Sequence, residues 1–264
     1  MNAPLSLIDF LQLEITTFVL VMTRVAGIVL FGPLISGNSF PTSLRIYLVL
    51  AISFMVTGAT QAPSLTPQNM VDIIFMMAGE LLVGFTVGNM LRMMIQALQL
   101  AGQVVGQQMG LALANIFNPQ LDEQASTLAA VYVTVATYIF LGMGGDREMF
   151  AALLDSFRLI PVGEVTLHAS VFELVMSFFQ QTMQFAVRVA APGTIALVMT
   201  EIAMGFVGRT VPQLNFLSIG FAVRILLGTF IVMTTIRAAG VVFADQMADA
   251  FGSAYLAIDN LTSE

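Results

Sequence analysis

"MVDIIFMMAGELLVGFTVGNMLRMM", residues 70–94, carries a single charge, Glu80, between Asp72 and Arg92. A bilayer hydrocarbon core about 30 Å thick is crossed by roughly 20 apolar helical residues, so this run is long enough to span one. It is too long for a membrane barrel strand of about ten residues, and it shows no strand alternation. A helix is the reading that remains, and with it a chain of membrane type.

Comparable runs lie on both sides. Ile15–Phe31 is interrupted by Arg24 and ends at "GPLISGNSFP" (32–41), where Gly32-Pro33 and Pro41 break the helix. Ile46–Thr57 follows, closed by the polar turn "GATQAPSLTP" (58–67). Residues 95–121 keep a helical composition but turn rich in glutamine and glycine, which predicts an additional helical hairpin or re-entrant element. Leu128–Leu141 is the next apolar run, and "GMGGDREMFAALLDSFRLIPVGE" (142–164) is the most water-compatible part of the chain. Val171–Met199 bears Arg188 and reads as broken by "APG" at 191–193. Phe216–Ile236 carries Arg224, and Asp245–Glu264 reads as an acidic, polar tail. The expectation is an all-α, multi-helix membrane-type protein with six main segments in one unit.

Composition agrees. Of 264 residues, 58% are hydrophobic and 9% charged, against about 25% charged in a soluble domain. Mean hydropathy is +0.90. All nine basic residues are arginines, whose planar fork suits protein–protein ion pairs better than a merely solvated surface requires. A net charge of -7 gives no support for nucleic-acid binding. With no cysteine and one histidine, disulfides, thiolate chemistry and a multi-histidine metal site are excluded, and no cofactor is expected. The start, "MNAPLSLIDFLQLEITTF", lacks a basic region and carries Asp9 and Glu14, so a retained N-terminus is expected rather than a cleaved signal.

Arg24, Glu80, Arg188, Glu201 and Arg224 fall inside apolar segments or at their rims. One such charge at a bilayer centre costs about 2.5–3.5 kcal/mol, so each needs a partner. Three readings fit: a proton or ion relay, pairing with one another or with neighbouring subunits, and helices that leave the lipid on assembly. Gly102, Gly106 and Gly110 share a four-residue spacing, as do Gly84 and Gly88, and small residues at that spacing let apolar helices approach closely. Gln103, Gln107 and Gln108 beside them need water, carbonyls or each other. "LANIFNPQLDEQ" (113–124) resembles a loop facing an aqueous cavity. Eighteen methionines serve either as core filler or as a deformable seal.

No phosphate loop, HExxH pair, nucleophile elbow or dinucleotide fingerprint occurs, and the sequence names no converging pair of titratable groups that a membrane catalyst would need, so catalytic residues are not expected. "GMGGDRE" (142–148) is a flexible turn, and His168 is an interfacial or capping residue. Asp146, Glu148, Asp155 and Arg158 belong to a solvated connection with local helix pairs.

"FGPLISGNSFPTSLRI" (31–46), "GQQMGLALANIFNPQ" (106–120) and "TEIAMGFVGRTVPQLNFLSIGF" (200–221) resemble the FliR/SpaR/YscT family, the R subunits of the type III protein export gate, and in particular its flagellar branch. The resemblance covers nearly the whole chain. It implies a non-enzymatic subunit of a bacterial inner-membrane export channel in the flagellar basal body. Its implied partners are P and Q subunits, the B subunit of the export switch and the basal-body ring, with unfolded export substrates passing through. It implies a P-like part over about 1–170, a Q-like part over 171–264, and an assembled core partly raised toward the periplasm. The family's channel plug falls on Gly110, Leu111, Ala112, Leu113, Ala114, Asn115, Phe117 and Asn118. Its subunit-contacting turn falls on Pro212, Gln213, Leu214 and Asn215. Proline there frees the backbone from helix geometry, and the two amides recover hydrogen bonds from neighbouring chains. A self-contained secondary transporter, with Glu80 and Arg188 or Arg224 in its path, is the competing reading.

Overall fold

A computed structural model describes residues 7–33, 41–60, 69–111, 127–165, 169–210 and 216–260. Among these there are seven helices and no strand: α1 Leu7–Phe31, α2 Thr42–Thr57, α3 Met70–Gln108, α4 Thr127–Gly142, α5 Gly145–Leu159, α6 Ala169–Thr210 and α7 Phe216–Asn260. Four are long and apolar enough to cross a membrane, at Leu13–Phe31, Met70–Gln108, Phe172–Thr210 and Ile219–Leu256. The all-α membrane-type expectation holds. Hydroxyls inside the apolar helices are satisfied locally: Thr17, Thr23, Ser53, Thr134 and Thr200 each donate to the carbonyl four residues earlier.

Three sequence expectations are corrected. Residues 95–108 do not start a separate hairpin; they continue α3, which runs for 39 residues. A glycine in mid-helix costs about 1 kcal/mol relative to alanine, but Gly102 lies in a contact that only glycine fits, so packing offsets propensity. The "APG" stretch does not break α6, which holds Pro192 in its interior. Pro192 cannot donate to the Arg188 carbonyl, yet the buried face of Ala186, Ala190 and Leu197 continues across it and keeps the helix in place. The acidic tail is helical to Asn260. Phe243, Met247, Ala250 and Ala254 recur at helical spacing and are buried, while Asp245 and Asp249 face outward.

The chain forms two compact units interleaved in sequence: Met1–Arg92 with Gly144–Phe178 and Ala248–Glu264, and Met93–Met143 with Phe179–Met247. In the first, α1 packs on α2, and α1 meets the N-terminal half of α3 at backbone contact. A Cβ on Gly27 would stand 2.8 Å from the Gly84 Cα, and one on Gly88 would stand 2.9 Å from the Ile28 carbonyl oxygen. Phe31 and Phe85 close the crossing edge to face, with ring centroids 4.8 Å apart. In the second unit, α4 packs on the C-terminal half of α3 at Gly102, where a Cβ would stand 2.8 Å from the Ala129 Cα. Val105 fills the space beside Gly193, and Phe185 of α6 faces Phe243 of α7.

Candidate functional site

The glycine-narrowed crossing of α1 and α3 carries an ion pair at one end. Arg24 and Glu80 each precede a crossing glycine, Gly27 and Gly84, by about one turn, and both side chains are fully buried. The guanidinium fork meets the carboxylate bidentately, Nε on Oε2 and Nη2 on Oε1, the latter at 3.1 Å. Its Nη1 donates to the carbonyls of Ser156 and Ile160, at 2.7 and 2.9 Å. These are carbonyls at the C-terminal end of α5, where the helix dipole favours a cation. The Gly163 amide donates to Glu80 Oε1 at 2.8 Å, from a turn in which Gly163 has φ 82°. The Phe157 ring covers the guanidinium, 4.4 Å from its centre. One ion pair therefore ties α1, α3, the end of α5 and the following turn together.

The other charges are placed differently. Arg224 of α7 stands 3.8 Å from Glu201 of α6, with Glu201 largely exposed and Arg224 half-buried. Arg224 also reaches back to the Gly220 carbonyl at 3.3 Å. Arg188 is exposed on α6. The faces around these charges are apolar and bare: Phe172, Val187, Ile195 and Phe206 on α6, and Leu226, Phe230 and Met233 on α7, are exposed.

Of the segment matched to the channel plug, Gly110 and Leu111 are described, while Ala112, Leu113, Ala114, Asn115, Phe117 and Asn118 lie outside the described residues. Gly110 is not part of a glycine face of α3; it ends the helix. It adopts φ 82°, its amide donates to the Gln107 carbonyl at 3.0 Å, and the Leu111 amide donates to the Gly106 carbonyl at 3.1 Å. These paired bonds are a Schellman stop, which requires a left-handed residue and hence favours glycine. Met109 packs against Gly228 of α7 just before the stop. Of the long amides, Gln107 is exposed, Gln103 lines a groove of about 300 Å³ with Gln96, Gln99 and Phe179, and Gln108 Oε1 is enclosed with no partner among the described residues. Pro212, Gln213, Leu214 and Asn215, like His168, lie outside the described residues.

Gly27, Phe157 and Gly163 complete the ion-paired site and had gone unnoticed in the sequence. Gly27 lies three residues from Arg24 in an apolar run, a spacing that could have marked it as a small-residue contact. Nothing local in the sequence pairs Arg24 with a carboxylate 56 residues away.

Comparison with known proteins adds the family. Residues 15–250 match the family described as bacterial export proteins, family 1. The chain is similar to the flagellar biosynthetic protein FliR of Aquifex aeolicus (strain VF5), 25% identical over 235 residues that cover 89% of this chain and 91% of that one. It is likewise similar to the proteins of that name from Bacillus subtilis (strain 168), 27% identical over 79% of this chain and 81% of the relative, and Escherichia coli (strain K12), 26% identical over 78% and 79%. With most of its length matched, from within the helix bearing Arg24 into the C-terminal part of α7, the chain belongs to the bacterial export proteins, family 1.

Proposed function

We propose that the chain is a non-enzymatic structural and gating subunit of the flagellar type III protein export channel, required for flagellum assembly. The observation that carries this reading is the match of 15–250 to an export family, together with relatives of nearly equal length named for flagellar biosynthesis. The helices support it physically. At 1.5 Å per residue the 39 residues of α3 extend about 58 Å, roughly twice a hydrocarbon core, and α6 and α7 are longer still. Much of their apolar surface is therefore suited to other protein chains rather than to lipid.

In this reading the partners are P and Q subunits, the B subunit of the export switch and the basal-body ring. The chain resides in the bacterial inner membrane, with its assembled core partly raised toward the periplasm. A P-like part over about 1–170 and a Q-like part over 171–264 complete the ring, and unfolded export substrates pass through the conduit. Residues Gly110–Asn118 act as the plug, rooted at the helix stop of α3. Pro212–Asn215 meet neighbouring chains, and Arg188, Glu201 and Arg224 are satisfied there. The test is complementation of a bacterium whose own copy of this gene is deleted. The full chain restores swimming, and deletion of Gly110–Ala114 leaves assembly intact while raising the leakage of small solutes. Unchanged permeability in an assembled complex contradicts the plug, and swimming without any copy of the gene contradicts the function.

A further inference from the structure

From Met93 to Met109 the chain carries no charged residue, yet it holds five glutamines. Four of them, Gln96, Gln99, Gln103 and Gln107, recur at steps of three and four along α3, which puts them within about 80° of one another around the helix. Gln96 and Gln107 are exposed and Gln99 and Gln103 half-buried, while Ala97, Leu98, Ala101 and Val105 bury the opposite side. None of the four side chains is bonded to another described residue. Gln96, Gln99 and Gln103 open into the groove of about 300 Å³ whose other wall is α6, through Phe179, Thr182 and Met183.

We infer that this amide face touches the export substrate in transit and holds it by its backbone, an inference that rests on the subunit reading above. An extended polypeptide leaves N–H and C=O groups unpaired along its whole length, and each glutamine offers both donors and an acceptor. Contacts of that kind take any sequence. Because the face is uncharged, it neither traps nor repels a segment for the charges it carries. Other occupants fit worse. Lipid tails give an amide no partner, so four amides turned to lipid are costly. A packed helix from another chain has already bonded its own backbone, and it satisfies the amides only through polar side chains in matching register. Gln96 to Gln107 span about 17 Å along the helix axis, the length of about five extended residues. Met183 beside Phe179 gives the groove a wall that re-packs around side chains of different shape.

The experiment places a photoreactive benzoyl-phenylalanine at Gln96 or at Gln107 in the full chain, expressed in the deletion strain. An exported flagellar protein whose C-terminal fluorescent domain stays folded is supplied with it, so that the substrate halts in passage. Swimming of the parent strain is scored first: no swimming there is a failure of the subunit reading, separate from any failure of the amide face. In the swimming strain, irradiation is expected to join both probes to the halted substrate, at peptides about five residues apart. Residues inserted ahead of the folded domain are expected to shift both peptides by the same number, because the contact is with backbone and not with a chosen motif. With Gln96, Gln99, Gln103 and Gln107 all changed to leucine, the assembled particle is expected to export about tenfold more slowly, and asparagine at the four positions to recover most of the loss. The probe result decides alone where the leucine variant does not assemble. Adducts to lipid alone or to one fixed peptide of another subunit, no adduct, or parental export by an assembled leucine variant each overturn the inference.

Discussion

Arg24 and Glu80 reach each other across 56 residues of chain and bury both side chains, whereas Arg224 and Glu201 stand 3.8 Å apart with 69% of the Glu201 side chain exposed. The helices around them differ in the same sense. In the membrane-length window of α1, 44% of residues are buried, against 17% in α6 and in α7. The difference traces to backbone approach. Where Gly27, Gly84 and Gly88 let α1 and α3 touch, the chain supplies partners to its own charges: Glu80 and two carbonyls for Arg24, and the Gly163 amide for Glu80. Where α6 and α7 expose Phe206, Leu226 and Phe230, Arg224 and Glu201 meet only at the longer distance and the apolar faces stay uncovered within the chain.

The largest effect is expected at Arg24. Arg24→Gln leaves a buried carboxylate without its cation, and the purified chain is expected to lose about 3–5 kcal/mol in a denaturant titration in detergent. Because a buried pair replaced as a whole costs less than a broken one, Arg24→Met with Glu80→Leu is expected to lose less than the two single variants added. Additive losses would mean that the two residues do not act as a pair.

Gly84→Ala comes next. Its methyl group would run into the Arg24 carbonyl oxygen, which is backbone and cannot swing aside, and the expected loss is about 1–3 kcal/mol. Gly205, in the C-terminal part of α6, has nothing within 4 Å of the same position. Gly205→Ala is therefore expected to stabilise the purified chain by up to about 1 kcal/mol, the opposite sign. Equal effects at the two glycines would remove the distinction between a closed crossing and a bare face.

Much of this architecture could be read from residue order. Runs such as 70–94 specify helices by length and hydropathy alone, and the four-residue spacing of Gly84 and Gly88 correctly signals close packing. Other features required the tertiary structure. Glutamine and glycine in 95–108 suggest a new element when weighed by composition, yet α3 continues because α4 packs at Gly102. Pro192 suggests a break where burial on both sides holds α6 together. Gly110 falls in register with Gly102 and Gly106, and only its left-handed φ reveals it as the stop. The partner of Glu80 is a long-range contact with no local signature.

Smaller effects sharpen the same contrast. Gly110→Ala forces a side chain into the left-handed region and is expected to cost about 1–2 kcal/mol. Helix fraying at 106–109 should accompany it, visible as faster amide hydrogen exchange there than in the parent chain. Glu201→Gln, at an exposed pair, is expected to change the stability of the purified chain by less than about 1 kcal/mol. A larger loss would show that α6 and α7 settle their charges within the chain after all.

On the proposed subunit reading, sister proteins cover the bare helical faces around a shared conduit. The most direct test is gentle affinity purification of the tagged chain from swimming cells, followed by mass measurement of the intact particle. A stable hetero-oligomer with other membrane proteins of the export apparatus is expected, lost when Phe206 and Leu226 are both changed to aspartate. A folded single chain recovered alone from swimming cells, and moving a small solute when placed in vesicles by itself, would contradict it.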